Sequence, residues 1–208
     1  IRFTCGAFTK RNIVRFYKFI SVILHPIVTP TIGVMLYFLL IPNTFISAQK
    51  INILSLIFIA TYLIPLLILV IFKKLKIIET YQPESIKERK LPLALMVTLF
   101  YILNNIINLR DVSSLFYATS IGLFIVYILF YFKIRASMHL FSLGISIGFF
   151  MILSNRYSQS FIIVISILFL IAGLLGSARL YLKAHSAKEI YIGFFTGILS
   201  TLTMYYFL

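Results

Sequence analysis

Arg179, His185 and Glu189 stand at fixed intervals in the segment Ser177-Ala-Arg-Leu-Tyr-Leu-Lys-Ala-His-Ser-Ala-Lys-Glu189, between two long apolar runs. A helix that starts near His185 puts His185 and Glu189 at i and i+4 on one face. The carboxylate can then accept a hydrogen bond from one imidazole nitrogen and leave the other basic. Arg179 adds a permanent planar fork suited to phosphate oxygens. An oriented imidazole and a guanidinium at a membrane boundary point to phosphoryl chemistry on a lipid.

The elements that must position these groups are membrane helices. Hydrophobic residues make up 61% of the 208, and mean hydropathy is +1.04. A soluble domain has about 45–50% apolar residues. Several apolar runs reach the ~20 residues that cross a hydrocarbon core. The expected architecture is an all-α, polytopic helical bundle, one integral membrane domain over 1–208. Seven spans are expected (six to seven), near Phe16–Leu40, Ile51–Phe72, Pro92–Leu109, Ser113–Phe132, Ser137–Leu153, Ser160–Gly176 and Lys188–Phe207. The first run is long enough to be a span rather than the core of a cleaved leader. It contains His25, Pro26 and Pro30, so it is expected to kink or unwind. His25 reads as structural or pore-facing, bonded to a carbonyl that the kink frees. The turns at Arg110-Asp111 and Asn155-Arg156 are short and imply antiparallel hairpins. The longest loop is 73–91. The single cysteine, Cys5, excludes an internal disulfide and a cysteine metal cage. No metal or cofactor is expected.

Net charge is +14. In a soluble protein that would suggest nucleic acid. Here the basic residues sort to one side, and no nucleic-acid partner is expected. With alternating spans, only Lys50, Arg110 and Arg156 of the 19 Lys and Arg fall on the other face. The positive-inside bias places the crowded face in the cytoplasm, in a bacterial inner membrane. Four of the five acids share that face, and Asp111 is the exception. Lys73, Lys74 and Lys76 read as headgroup anchors. Asn104, Asn105 and Asn108 are expected to bond between helices or to line a tunnel.

Three segments of the basic face could carry chemistry: Lys87-Glu-Arg89-Lys90-Leu-Pro92, Arg135-Ala-Ser137-Met-His139, and Arg179 to Glu189. Two spans separate each from the next, so all three meet on one side. Together they resemble the motifs of the type 2 phosphatidic acid phosphatase family of membrane lipid phosphatases. That family carries Lys-x6-Arg-Pro, Pro-Ser-Gly-His and Ser-Arg-x5-His-x3-Asp. The third reads here Ala178-Arg179-x5-His185-x3-Glu189, with both spacings kept. The second reads Ala136-Ser137-Met138-His139. The first is approximated by Arg89 or Lys90 with Pro92, and Lys87 stands in for its lysine. The resemblance covers about 87–197.

The resemblance implies a metal-independent phosphohistidine route on a phospholipid or isoprenoid lipid phosphate. His185 would be the nucleophile and Glu189 its orienting partner. His139 would protonate the leaving oxygen and then activate water. Arg179, Arg89 and Lys87 would hold phosphate oxygens, with Ser137 assisting at a helix start. The physics agrees, since phosphoryl transfer needs positioning and charge neutralisation, and a covalent histidine step divides one barrier into two. Arg135 reads as a phosphate ligand or an anchor. Gly144-x3-Gly148 and Gly193-x3-Gly197 permit close helix approach on the two helices that carry His139 and His185. Two alternatives remain. One is a catalytically inactive member acting as a scaffold or complex subunit, in line with the altered first and second motifs. The other is a transporter, which lacks the paired intramembrane acids of ion coupling.

Overall fold

The structure, a computed structural model, describes residues 3–42, 44–78, 86–107 and 109–207, with side chains from residue 12 onward except Lys87 and Phe207. The described residues are helical with no strand. A chain this apolar must satisfy its own backbone, and in lipid the helix does so within one segment. The helices are α1 (Phe3–Ile23), α2 (Thr29–Leu40), α3 (Ser47–Lys74), α4 (Ile86–Ile106), α5 (Arg110–Tyr131), α6 (Met138–Arg156), α7 (Ile162–Tyr181) and α8 (Ala187–Phe207).

Four of these, α3, α5, α6 and α7, are long and apolar enough to cross a membrane. The expectation of seven spans is corrected in that respect. The expected first span is two helices, because Pro26 sits in a turn and Pro30 opens α2. Proline is tolerated there, where its missing N–H removes no helical bond. Helices α4 and α8 have spanning length but start among charged residues and carry Asn, Ser, Thr and Tyr further along. Large apolar side chains lie exposed around the bundle, among them Val22, Leu39, Ile163 and Leu170. So much apolar surface suits lipid rather than water.

Helix α6 is the hub. Of its spanning window 67% is buried inside the bundle, against 22% for α3. Its closest partner is α8, and glycines explain why. Gly144 of α6 meets Gly197 of α8, and a Cβ on either would run into the other helix's backbone. Gly148 faces Thr201, and Gly193 lies on the backbone of Ser137. The two small-residue pairs expected from the sequence thus face each other. The expected pairing of α4 with α5 is also present. Ser113 Oγ donates to Asn104 Oδ1 at 2.6 Å between the two helices, whereas Asn105 bonds the Tyr101 carbonyl of its own helix. Asn108 lies outside the described residues. Asn155 and Arg156 form the last turn of α6 rather than the connection to α7, which follows at 157–161.

Helix α3 contains a π-turn at Ile59–Leu63, where Ile64 N–H reaches back to the Ile59 carbonyl. Pro65 follows at once, and the wider turn accommodates its ring. Thr61, buried in this turn, faces Thr31 of α2 at 3.4 Å between hydroxyl oxygens.

Candidate functional site

The sequence segments 87–92, 135–139 and 179–189 come together at one end of the bundle. His139 is in the first turn of α6, Arg179 in the last turn of α7, and Glu189 in the first turn of α8. One backbone bond sets their spacing: Ser137 N–H donates to the Glu189 carbonyl at 2.9 Å. Gly193, one turn along α8, leaves room for that contact.

The loop from α7 to α8 is shaped by a lysine in an uncommon conformation. Lys183 has φ 53°, and around it Lys183 N–H bonds the Leu180 carbonyl while Ala184 N–H bonds the Arg179 carbonyl at 3.0 Å. This is a left-handed helix stop of the kind glycine usually makes. It turns the chain back so that His185 faces Glu189. His185 Nδ1 is 2.6 Å from Glu189 Oε2. The carboxylate therefore accepts a hydrogen bond from Nδ1–H, and Nε2 keeps its lone pair. Burial pushes the His185 pKa below its usual value, and the nearby Arg179 adds to this, while the Glu189 hydrogen bond and charge oppose it.

A cavity of about 710 Å³ opens beside these groups. Its lining at this end includes Arg89, Arg135, His139, Arg179, Lys183 and His185, together with Lys18, Ser21 and His25 of the α1 end. No Asp or Glu among the described residues lines it. From there it runs between α2, α3, α4, α5 and α6 along Pro65, Met96, Phe100, Leu115, Phe116, Leu123 and Phe149. On α5 the lining extends from Leu115 to Phe130, about 22 Å at 1.5 Å per residue. The space has a cationic head and an apolar body, the outline of an amphiphile carrying negative charge.

Not every expected residue lines that space. Ser137 is fully buried, its Oγ has no partner, and its N–H is engaged by Glu189, so this helix start does not offer that donor to an anion. Glu189 reaches the cavity through His185 and is not itself a lining residue. Lys87 lies in the first turn of α4, with its side chain outside the described set. Arg179 donates from Nη1 to Ser21 Oγ at 2.9 Å, and its buried Nε has no partner. His139 Nε2 lies 3.2 Å from the Ser21 carbonyl. A carbonyl accepts only, so that nitrogen carries the proton and Nδ1 has the lone pair.

His25, expected to be structural or pore-facing, lines the cavity 5.2 Å from the His139 ring. All three histidines of the chain therefore meet in one space. The signal available was the His25-Pro26 pair, since a proline break in an apolar run is where a polar side chain finds room. Arg135, read as ligand or anchor, also lines the cavity. No family model, curated protein or solved structure matches this chain.

Proposed function

We propose that the protein is a membrane lipid phosphatase. It hydrolyses a lipid phosphomonoester or pyrophosphate through a phosphohistidine intermediate. The observation that carries this reading is the His185–Glu189 pair, at 2.6 Å, on the wall of a cavity with a cationic head and an apolar body. The lipid phosphate places its phosphoryl group among Arg179, Arg89 and Arg135 and its tail among the phenylalanines. His185 Nε2 attacks phosphorus, an N–P bond forms, and the bond from phosphorus to the lipid oxygen breaks. His139 first takes up a proton from solvent on its free Nδ1 and then gives that proton to the departing oxygen. Water then attacks the phosphohistidine, His139 takes a proton from it, and the N–P bond breaks. Glu189 holds the ring throughout and stabilises its positive charge. The cations supply the charge neutralisation that phosphoryl transfer requires.

Phosphate release from a panel of lipid phosphates, by purified protein in detergent with chelator present, tests this. Release that survives chelation and is lost in His185→Ala is expected. Release that needs a metal, or equal rates in the two proteins, overturns it. A second reading, an inactive relative serving as scaffold or complex subunit, draws on Ser21, which engages both Arg179 and His139. Equal rates would favour it.

We place the protein in a bacterial inner membrane, and the charge distribution supports an orientation with the cavity head toward the cytoplasm. Labelling from outside, in a variant lacking Cys5, is expected to modify a cysteine placed at 156 and not one placed in 73–78. The reverse pattern overturns the orientation.

A further inference from the structure

His25 is the one histidine of the cavity that the mechanism above leaves unused. It sits in the break between α1 and α2, and its neighbours Ile27, Pro30 and Gly33 line the same cavity. It therefore stands where the cationic head meets the apolar body. In a bound lipid phosphate, that is the level of the oxygen joining phosphorus to the tail. His139, assigned to the leaving group, is its neighbour, with the rings edge to face at 5.2 Å and 78°.

Two local features hold His25 there. The Thr29 hydroxyl lies 3.2 Å from both the His25 carbonyl and Ser142 Oγ, and Ser142 Oγ donates to the His139 carbonyl at 2.9 Å. The break is thereby fixed to the turn of α6 that carries His139. Ile27 N–H donates to His25 Nδ1 at 3.4 Å. That nitrogen is then an acceptor, so the ring proton is on Nε2. Among the described residues, the hydrogen bond found for this ring is the one at Nδ1. A histidine kept only to stabilise the break would need just the Nδ1 contact and would not also have to line the cavity beside His139.

We propose that His25 donates an Nε2–H hydrogen bond to the oxygen linking the phosphoryl group to the lipid, beside His139. This rests on the phosphatase reading. The bond costs little in the ground state and strengthens as negative charge grows on the departing oxygen. His139 remains the source of the proton, and His25 steadies the oxygen that receives it.

The experiment compares wild type with His25→Ala, His25→Gln and His25→Asn, each checked for helicity and melting temperature. A glutamine amide reaches about as far as Nε2, and an asparagine amide only about as far as Nδ1. On an alkyl phosphate such as phosphatidic acid, His25→Ala is expected to lower kcat roughly 100-fold, the effect of removing one transition-state donor. His25→Gln is expected to recover most of that loss and His25→Asn little. On 4-nitrophenyl phosphate, whose leaving group needs little help, the loss is expected to stay under about 5-fold. Equal losses on both substrates overturn the proposal, as does a Gln variant no better than Ala. Failure of the phosphatase reading looks different, because wild type then turns over nothing. Orthovanadate binding decides for His25 in that case. About 10-fold weaker binding in His25→Ala, restored by Gln, supports it. Unchanged binding, or a wild type that binds no vanadate, overturns it.

Discussion

The two ends of α6 use similar residues to opposite effect. His139 and Arg156 lie about 26 Å apart along the helix axis, at 1.5 Å per residue. At the Arg156 end the polar groups close on one another. Arg156 pairs with buried Asp111, and the hydroxyls of Tyr37 and Tyr157 both donate to Asp111 Oδ2, at 3.1 and 2.6 Å. Tyr205 lies over the guanidinium and accepts a bond from Asn155 at 2.7 Å. At the His139 end, cations line an open cavity with no acid among its described lining residues, and Arg179 keeps a buried Nε without a partner. A buried charge needs compensation. The Arg156 end supplies it within the cluster, whereas the cavity lining at the His139 end is cationic, as the proposed phosphate ligand would require.

Substitutions at the two ends should therefore report in different assays. His185→Ala is expected to reduce turnover at least about 10³-fold, because no neighbouring group replaces an attacking imidazole. Its stability should stay within about 1 kcal/mol of wild type. Comparable losses in rate and in unfolding free energy would erase the distinction.

Asp111→Ala should do the reverse. It leaves Arg156 and two tyrosine hydroxyls without their acceptor, and breaking a buried ion pair destabilises by about 3 kcal/mol. Chemical denaturation in detergent reads that loss, while kcat for the protein that remains folded should be unchanged. A large drop in kcat with intact stability would mean that the Asp111 cluster belongs to the site.

These two ends were not equally legible in the sequence. The Arg-x5-His-x3-Glu spacing is local, so i,i+4 geometry alone gave the His185–Glu189 bond, and span parity brought His139 to it. Alternation also placed Asp111 with Arg156, but nothing in the sequence says that Tyr37 and Tyr157 complete that pair. Those contacts depend on how α2 packs on α6. The sequence left His25 open between structural and pore-facing, because the proline shows that the helix breaks and not where the break comes to rest. The span count was seven where four described helices are long and apolar enough to cross, and one clear cause is the first expected span, which Pro26 and Pro30 divide into α1 and α2.

Two of the three lysines found in left-handed conformations give a finer test. Lys76 ends α3 with φ 58° and lies outside the cavity lining, whereas Lys183, φ 53°, is part of it. A non-glycine residue there is strained by about 1 kcal/mol. Lys76→Gly is expected to gain about that much stability with activity unchanged. Lys183→Gly should gain the same stability and lose activity several-fold, since a cation leaves the cavity. Equal activity in the two variants would remove Lys183 from phosphate binding.

The smallest effect concerns pH. Burial sets the His185 pKa below 6.5, and the Glu189 hydrogen bond and charge hold it up against that. The nucleophile must be neutral, so activity should fall as pH drops through this lowered value. The same depression gives stability that is present above pH 6.5 and lost as pH falls through the folded pKa, because the unfolded chain binds the proton more readily. Glu189→Gln removes the carboxylate charge while an amide can still hold the ring. The His185 pKa should then fall further, and the acid limb of the rate profile should move to lower pH. The plateau rate should also fall, by less than in His185→Ala, because the charge on the attacking ring is no longer stabilised. A limb that stays in place would mean that another group sets it, and a limb that moves upward would reverse the assignment of Glu189 as the partner that stabilises the imidazolium.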